Sequence, residues 1–384
     1  MKSAMLLSTA FVLGFCSTAH AANINVTTTA VAGDCFTPGG DPCDNFNGSD
    51  CTLQDALDVA ECNGQGDTIN IAAGTYDSDA ANIFQYVASD NENFPLGLIG
   101  ADGAIIDGLD NEEGMELNTR FAGGDDAANL TVSNIVFTRG NYSGPGGGLA
   151  VNITDADVTV DGCSFIANFS DEWGGGLYVS GFGESVQLFS NNLFLDNIAN
   201  FDDGGGLFAE SGQESITAVN NILAGNVSNE GSGGGIFLSA AIGDITVTNN
   251  TLFGNAATVD AGGGLALSVD DSGSTFQIYN NIVYAKTAGT NGDDIWTCEQ
   301  GATVNLFNND FLEYFSEGLD GDTCGGAPTL NQGSNISADP LFVDSGADDF
   351  HLTATSPARD TGDPAAPAMP SSDFDGNPRP AIPG

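Results

Sequence analysis

Gly204-Gly205-Gly206-Leu207-Phe208-Ala209 decides the fold, because its opening recurs at a fixed interval. A triple glycine followed by an aliphatic residue stands at Gly146-Gly147-Gly148-Leu149, Gly174-Gly175-Gly176-Leu177, Gly204-Gly205-Gly206-Leu207, Gly233-Gly234-Gly235-Ile236 and Gly262-Gly263-Gly264-Leu265. Successive starts lie 28, 30, 29 and 29 residues apart. Two further markers keep the same beat. Phe165-Ile166-Ala167-Asn168 returns as Phe194-Leu195-Asp196-Asn197, Leu223-Ala224-Gly225-Asn226 and Leu252-Phe253-Gly254-Asn255. An Asn-Asn pair closes an alternating run at Asn191-Asn192, Asn220-Asn221, Asn249-Asn250, Asn280-Asn281 and Asn308-Asn309. Three markers in one phase identify a stacked repeat.

Each unit reads as three short strands. Asp244-Ile245-Thr246-Val247-Thr248 alternates polar and apolar, as a half-buried strand does. Asn249-Asn250 turns the chain, since asparagine tolerates left-handed backbone. Leu252-Phe253 opens a second strand that Asn255 closes, and a polar loop leads to the glycines and a third strand, Leu265-Ala266-Leu267-Ser268. No helical periodicity interrupts the repeats. Stacked coils pair parallel strands at ~4.8 Å, so equivalent asparagines form ladders and equivalent Leu, Ile, Val and Phe fill the interior. The glycines supply unusual torsions or close backbone approach.

A solenoid needs caps on its open ends. Leu53, Ala56, Leu57 and Ala60 share one face of a short amphipathic helix, and Thr52 with Asp55 forms a capping box. Lys2, the apolar run Ala4 to Phe15 and Ala19-His20-Ala21 read as a cleaved secretory signal over residues 1–21. Residues 22–66 are then a disulfide-stapled N-terminal cap, 67–352 the parallel β-helix and 353–384 an irregular C-terminal tail. Export makes disulfides the default. Cys35, Cys43, Cys51 and Cys62 suggest two bridges of open connectivity, Cys298 and Cys324 flank a loop as a third pair, and Cys163 is a buried free thiol.

Cys51-Thr52-Leu53-Gln54-Asp55-Ala56 resembles the CSLREA-type N-terminal motif of secreted bacterial β-helix proteins, and Asp67 to Tyr76 is similar to the strand and turn that follow it there. Asp339-Pro340-Leu341-Phe342, Phe350-His351-Leu352, Ser356 to Gly362 and Asp373 to Arg379 resemble the tail of choice-of-anchor β-helix proteins. The Gly-Gly-x-Ile and Phe-x-x-Asn units are similar to those of polymorphic outer-membrane adhesins. The resemblance implies an all-β, right-handed parallel β-helix, the pectate-lyase-like solenoid, with a short N-terminal capping helix. It implies no reaction.

Charge bounds the partners. Fifty-two acidic residues face six basic ones, for a net charge of −46. Nucleic acid and anionic membrane need clustered Lys and Arg, so neither is a direct partner, and no segment is long enough for membrane insertion. A polyanionic sugar is repelled unless divalent cations bridge it. The expected molecule is an extracellular or cell-surface monomer that needs no cofactor.

Two function classes follow. The adhesin-like repeats and the paucity of bases favour a non-catalytic surface or matrix protein that binds a polysaccharide or cell-surface glycan. Trp173, Tyr178, Phe201 and Phe208 lie near the same loops as aromatics able to stack on sugar rings; Tyr178 and Phe208 sit within strands, facing inward or outward, so Trp173 and Phe201 are the candidate binding residues. The alternative is a polysaccharide lyase or glycoside hydrolase. Of the basic residues near the helix body (Arg120, Arg139 and Lys286), Arg139 is the candidate lyase base. His351 reads as packing, and no Gly-x-Ser-x-Gly elbow supports a serine triad. Glu172, Asp203, Glu230 and Asp260 each precede a triple glycine and form an acidic stripe, a candidate calcium site.

Overall fold

A computed structural model describes residues 22–27, 51–61, 64–79, 83–88, 94–119, 129–284, 287–317, 324 and 326–379. Its body is a parallel β-helix whose coils each contribute one strand to each of several sheets. One coil shows the plan. Gln187–Ser190 joins an eleven-stranded first sheet, Leu193–Leu195 a nine-stranded second, Ile198–Ala199 a six-stranded third, and Leu207–Ser211 a nine-stranded fourth. Every pairing within these four sheets is parallel, and equivalent residues of neighbouring coils stand in register, as in Phe194 beneath Leu223 and Leu207 beneath Ile236. Three strands per coil were expected. The fourth is the two-residue element that runs through the loop before the glycines, too short to leave an alternating pattern in the sequence.

The inward columns are apolar and buried. Phe137, Phe165 and Phe194 stack at 5.1 and 4.8 Å between ring centroids, and Leu223, Leu252 and Val283 continue the column, all fully buried. Two asparagine ladders hold the corners. Asn221 Nδ2 donates to Asn250 Oδ1 at 2.9 Å and to the Phe189 carbonyl at 2.9 Å, and Asn192 repeats the pattern one coil away. Asn168, Asn197, Asn226 and Asn255 build the second ladder in the same way. The first residue of each Asn pair takes the left-handed turn, with φ between 56° at Asn191 and 60° at Asn220.

The triple glycine has three separate causes. Gly204 has φ 74°. A Cβ on Gly205 would lie 2.4 Å from the Val227 carbonyl carbon of the third sheet, and one on Gly206 would lie 2.7 Å from Gly235 O. The run ends at Gly292-Asp293-Asp294-Ile295, where Ile295 keeps register with Leu265. The third sheet has its last strand at Thr287–Ala288, so the middle position meets no further strand and a carboxylate is tolerated.

The ladder begins earlier than 67 and ends before 352. Ala22–Val26 pairs in parallel with Asp67–Ile71, placing Ile24 and Val26 in the core. An intervening helix, α1 (Leu53–Ala60), removes that strand from the repeat phase; it carries the expected capping box from Thr52 and buries Leu53, Ala56, Leu57, Val59 and Ala60. At the other end Thr329–Gly333 is the last strand of the first sheet. Phe342–Asp344 and Asp349–Leu352 form an antiparallel hairpin, because a three-residue helical turn is too short for a parallel crossover.

Candidate functional site

Side chains alternate along a strand, so the residues that send Leu177, Leu207 and Ile236 inward send Tyr178, Phe208 and Phe237 outward. Stacking then makes a column on the outer face of the fourth sheet: Glu116, Ala150, Tyr178, Phe208, Phe237, Ala266 and Trp296. Tyr178 and Phe208 stack at 5.5 Å, Phe208 and Phe237 at 5.4 Å. Trp173, from the loop before Gly174, leans over them at 6.3 Å from Tyr178 and 6.0 Å from Phe208. Two residues further along the strands runs a polar column of Ser180, Glu210 and Ser239. Trp173, Tyr178, Phe208, Phe237, Glu210, Ser239 and Asp203 line a half-open pocket of about 180 Å³. That is the scale of one sugar ring.

Its two carboxyl groups sit in different surroundings. Asp203 accepts a hydrogen bond from the Ser232 N–H at 2.6 Å. Burial pushes its carboxyl up to about 6, and the charges of Asp202 and Asp260 push the same way. Glu210 accepts from the Ser180 hydroxyl, and its own carbonyl accepts from Gln187 Nε2 at 2.6 Å.

The family profile for the right-handed β-helix region matches residues 47–252, more than half of the chain. The protein belongs to the right-handed β-helix family. No curated protein matches it. Among solved structures, the crystal structure of pectate lyase Pel9A aligns at 15% identity over 95% of this chain and 89% of that one, with a TM-score of 0.40. A likeness at that level bears on neither reaction nor substrate.

In this right-handed β-helix the expected site residues part company. Trp173 and Asp203 meet in the pocket, whereas Phe201 stands 53% exposed outside it. The four carboxylates of the acidic stripe are staggered: Asp203 directly precedes its glycines, Glu172 and Asp260 stand one residue further back, and Glu230 two. Glu230 raises the Asp202 carboxyl, and Asp202 and Asp260 both raise Asp203. Arg139 occupies a left-handed turn at φ 51° and is bound to Asp107, with Asp110 at 3.8 Å. The Asp107 hydrogen bond raises its guanidinium further, opposite to what a base requires. Arg120 and Lys286 lie outside the described residues.

Cys298 and Cys324 form the expected disulfide, with Cα atoms 5.4 Å apart. They are also two of the three members of the one metal-ligand grouping among the described residues, with Glu317, so the bridge consumes it. Cys51 is disulfide-bonded; Cys35, Cys43 and Cys62 lie outside the described residues. Cys163 is free and buried, and desolvation pushes its thiol up to about 12. Among the described residues no helix is long and apolar enough to cross a membrane.

Tyr178 and Phe208 were named from the sequence, whereas Glu210, Phe237 and the continuity of the outward column were missed, although the signal was present. Counting outward parity from Leu207 marks Phe208 and Glu210, and the 29-residue phase places Tyr178 and Phe237 beside them.

Proposed function

We propose that this β-helix is an extracellular glycan-binding protein whose saccharide seat is the pocket under Trp173. The observation that carries the reading is the combination of an aromatic wall, formed by Trp173, Tyr178, Phe208 and Phe237, with carboxyl and hydroxyl groups from Asp203, Glu210 and Ser239 in one sugar-sized cavity. Aromatic surface covers the apolar face of a pyranose while a few polar groups fix its hydroxyls. The net charge of −46 favours a neutral polysaccharide over a uronic-acid polymer. An extracellular setting is supported by the Cys298–Cys324 bridge and by the signal-like leader. Arg139, the candidate base of the lyase alternative, is held between carboxylates, which counts against that role for it.

The test is affinity electrophoresis against neutral β-glucans, mannans and xylans beside alginate and polygalacturonate. Retardation by a neutral polysaccharide is expected. Trp173→Ala should weaken it about tenfold, equivalent to ~1.4 kcal/mol. Binding to none of the panel, or unchanged binding by the variant, contradicts the reading.

A further inference from the structure

We propose that His351 is a pH-sensitive clasp that fastens the C-terminal segment over the second sheet, closed while both ring nitrogens carry protons and released when one proton leaves. The geometry assigns the protons. His351 Nδ1 lies 2.6 Å from Asp349 Oδ1, and Nε2 lies 2.7 Å from Asp375 Oδ2. Both neighbours are carboxylate oxygens, which only accept, whereas a neutral imidazole has a single N–H to give. The two contacts together therefore require the imidazolium. They differ in reach. Asp349 stands two residues away on the same strand and also accepts the His351 backbone N–H at 3.1 Å, so it stays with the hairpin. Asp375 belongs to the final turn, which Asp373 and Asn377 close by exchanging hydrogen bonds at 2.8 Å. The Asp375 contact is the one that ties turn to hairpin.

The clasp closes over a cavity of about 600 Å³ between these elements and the coils beneath. Around that cavity the hairpin presents Asp348 and Asp349, and the final segment presents Asp373, Asp375 and Arg379. The second sheet adds Leu193, Ile222, Thr251 and asparagines, with no titratable group among the described residues. The hydrogen bonds from Asp349 and Asp375 raise the imidazole above its ordinary 6.5. The sign follows from that direction. The contribution to docking is complete below 6.5 and is lost as pH rises through the raised value. Past that point one ring nitrogen turns a lone pair towards a carboxylate, and the turn parts from the hairpin, uncovering Leu193 and Ile222. The ring is 63% exposed, so it exchanges protons freely with solvent and the tie is modest. Arg379, which donates to Asn220 Oδ1 at 2.7 Å, keeps its charge throughout and holds the segment near.

Two measurements on the intact chain test this. A nitrogen-15 titration of the histidine rings reads the protons on Nδ1 and Nε2 directly, and His20, in the signal-like leader, is the one other histidine. Amide exchange, corrected for the intrinsic rate at each pH, reads the docking of residues 372–379. The His351 ring should titrate above 6.5. Protection of residues 372–379 should fall about two- to fivefold relative to the coil core between about pH 6 and about pH 8.5. Asp375→Asn and His351→Gln replace one partner with an amide that bonds without regard to pH, so each should hold that protection level. A His351 ring that titrates at or below 6.5, native protection that does not change with pH, or an equal fall in both variants overturns the clasp.

Discussion

Asn221 shows how one side chain does several jobs at once. It is 1% exposed, and its Oδ1 accepts from both the N–H and Nδ2 of Asn192, at 2.9 and 3.1 Å. Its Nδ2 satisfies the Phe189 carbonyl. Asn221→Leu keeps the branching at Cγ but strands hydrogen-bonding groups on both neighbouring coils, so it should cost about 1–3 kcal/mol. Chemical denaturation checks this; an unchanged midpoint would mean that the ladder adds nothing. Glu113 makes the opposite case. It is 5% exposed, its Oε2 has no hydrogen-bond partner, and burial with help from Glu116 and Glu112 pushes its carboxyl from 4.5 up to about 8. A group raised on folding stabilises below its unfolded pKa, and that contribution is lost as pH rises through the folded value. Asp203 has the same sign at lower pH. Thermal stability should therefore fall between pH 4.5 and about 8, and Glu113→Gln should flatten the upper part of that fall. A variant with an unaltered profile would place the titration elsewhere.

At the scale of elements, the repeated strands were legible because each repeats its own pattern, and the phase of the glycines, Phe and Asn carried the register. What repeats only as two residues, or does not repeat at all, was not legible. The C-terminal segment is the clearest instance. Read as an irregular tail, it is docked along the outer row of asparagines. Asn308 Nδ2 donates to the Thr361 carbonyl at 2.8 Å, and Asn280 exchanges hydrogen bonds with Asp363 at 2.9 and 2.7 Å. Arg379 donates to Asn220 Oδ1 at 2.7 Å across 159 residues of sequence. His351 joins Asp349 and Asp375 at 2.6 and 2.7 Å, tying the hairpin to the final turn. The rail these groups grip is made by the left-handed asparagines, whose backbone role hid their second use. Cavities of about 710 and 600 Å³ remain beneath the segment. Arg379→Ala should raise amide exchange in residues 372–379 while leaving the coil core protected. Unchanged exchange there would mean that the arginine is not the fastening.

For the whole molecule, the length of the β-helix turns a modest unit into an extended surface. Each coil adds one outward residue to the aromatic column, and the column is widest in ring area where Tyr178, Phe208 and Phe237 follow one another. Ala150 and Ala266 bound it on either side. The interior could be inferred from composition and period, but the pocket could not, because it arises where a loop residue, Trp173, folds over strands from later coils. The acidic composition disfavours polyanions, so the proposed recognition falls to ring faces and hydrogen bonds. Trp173 and Trp296 are the two tryptophans of the chain, which gives the pocket its own reporter. The most direct measurement is a fluorescence titration of Trp296→Phe with the neutral oligosaccharide selected by electrophoresis. The binding account predicts a saturable change in Trp173 emission that Phe208→Ala weakens. Emission that stays constant while the glycan is bound would contradict it and place the saccharide elsewhere on the molecule.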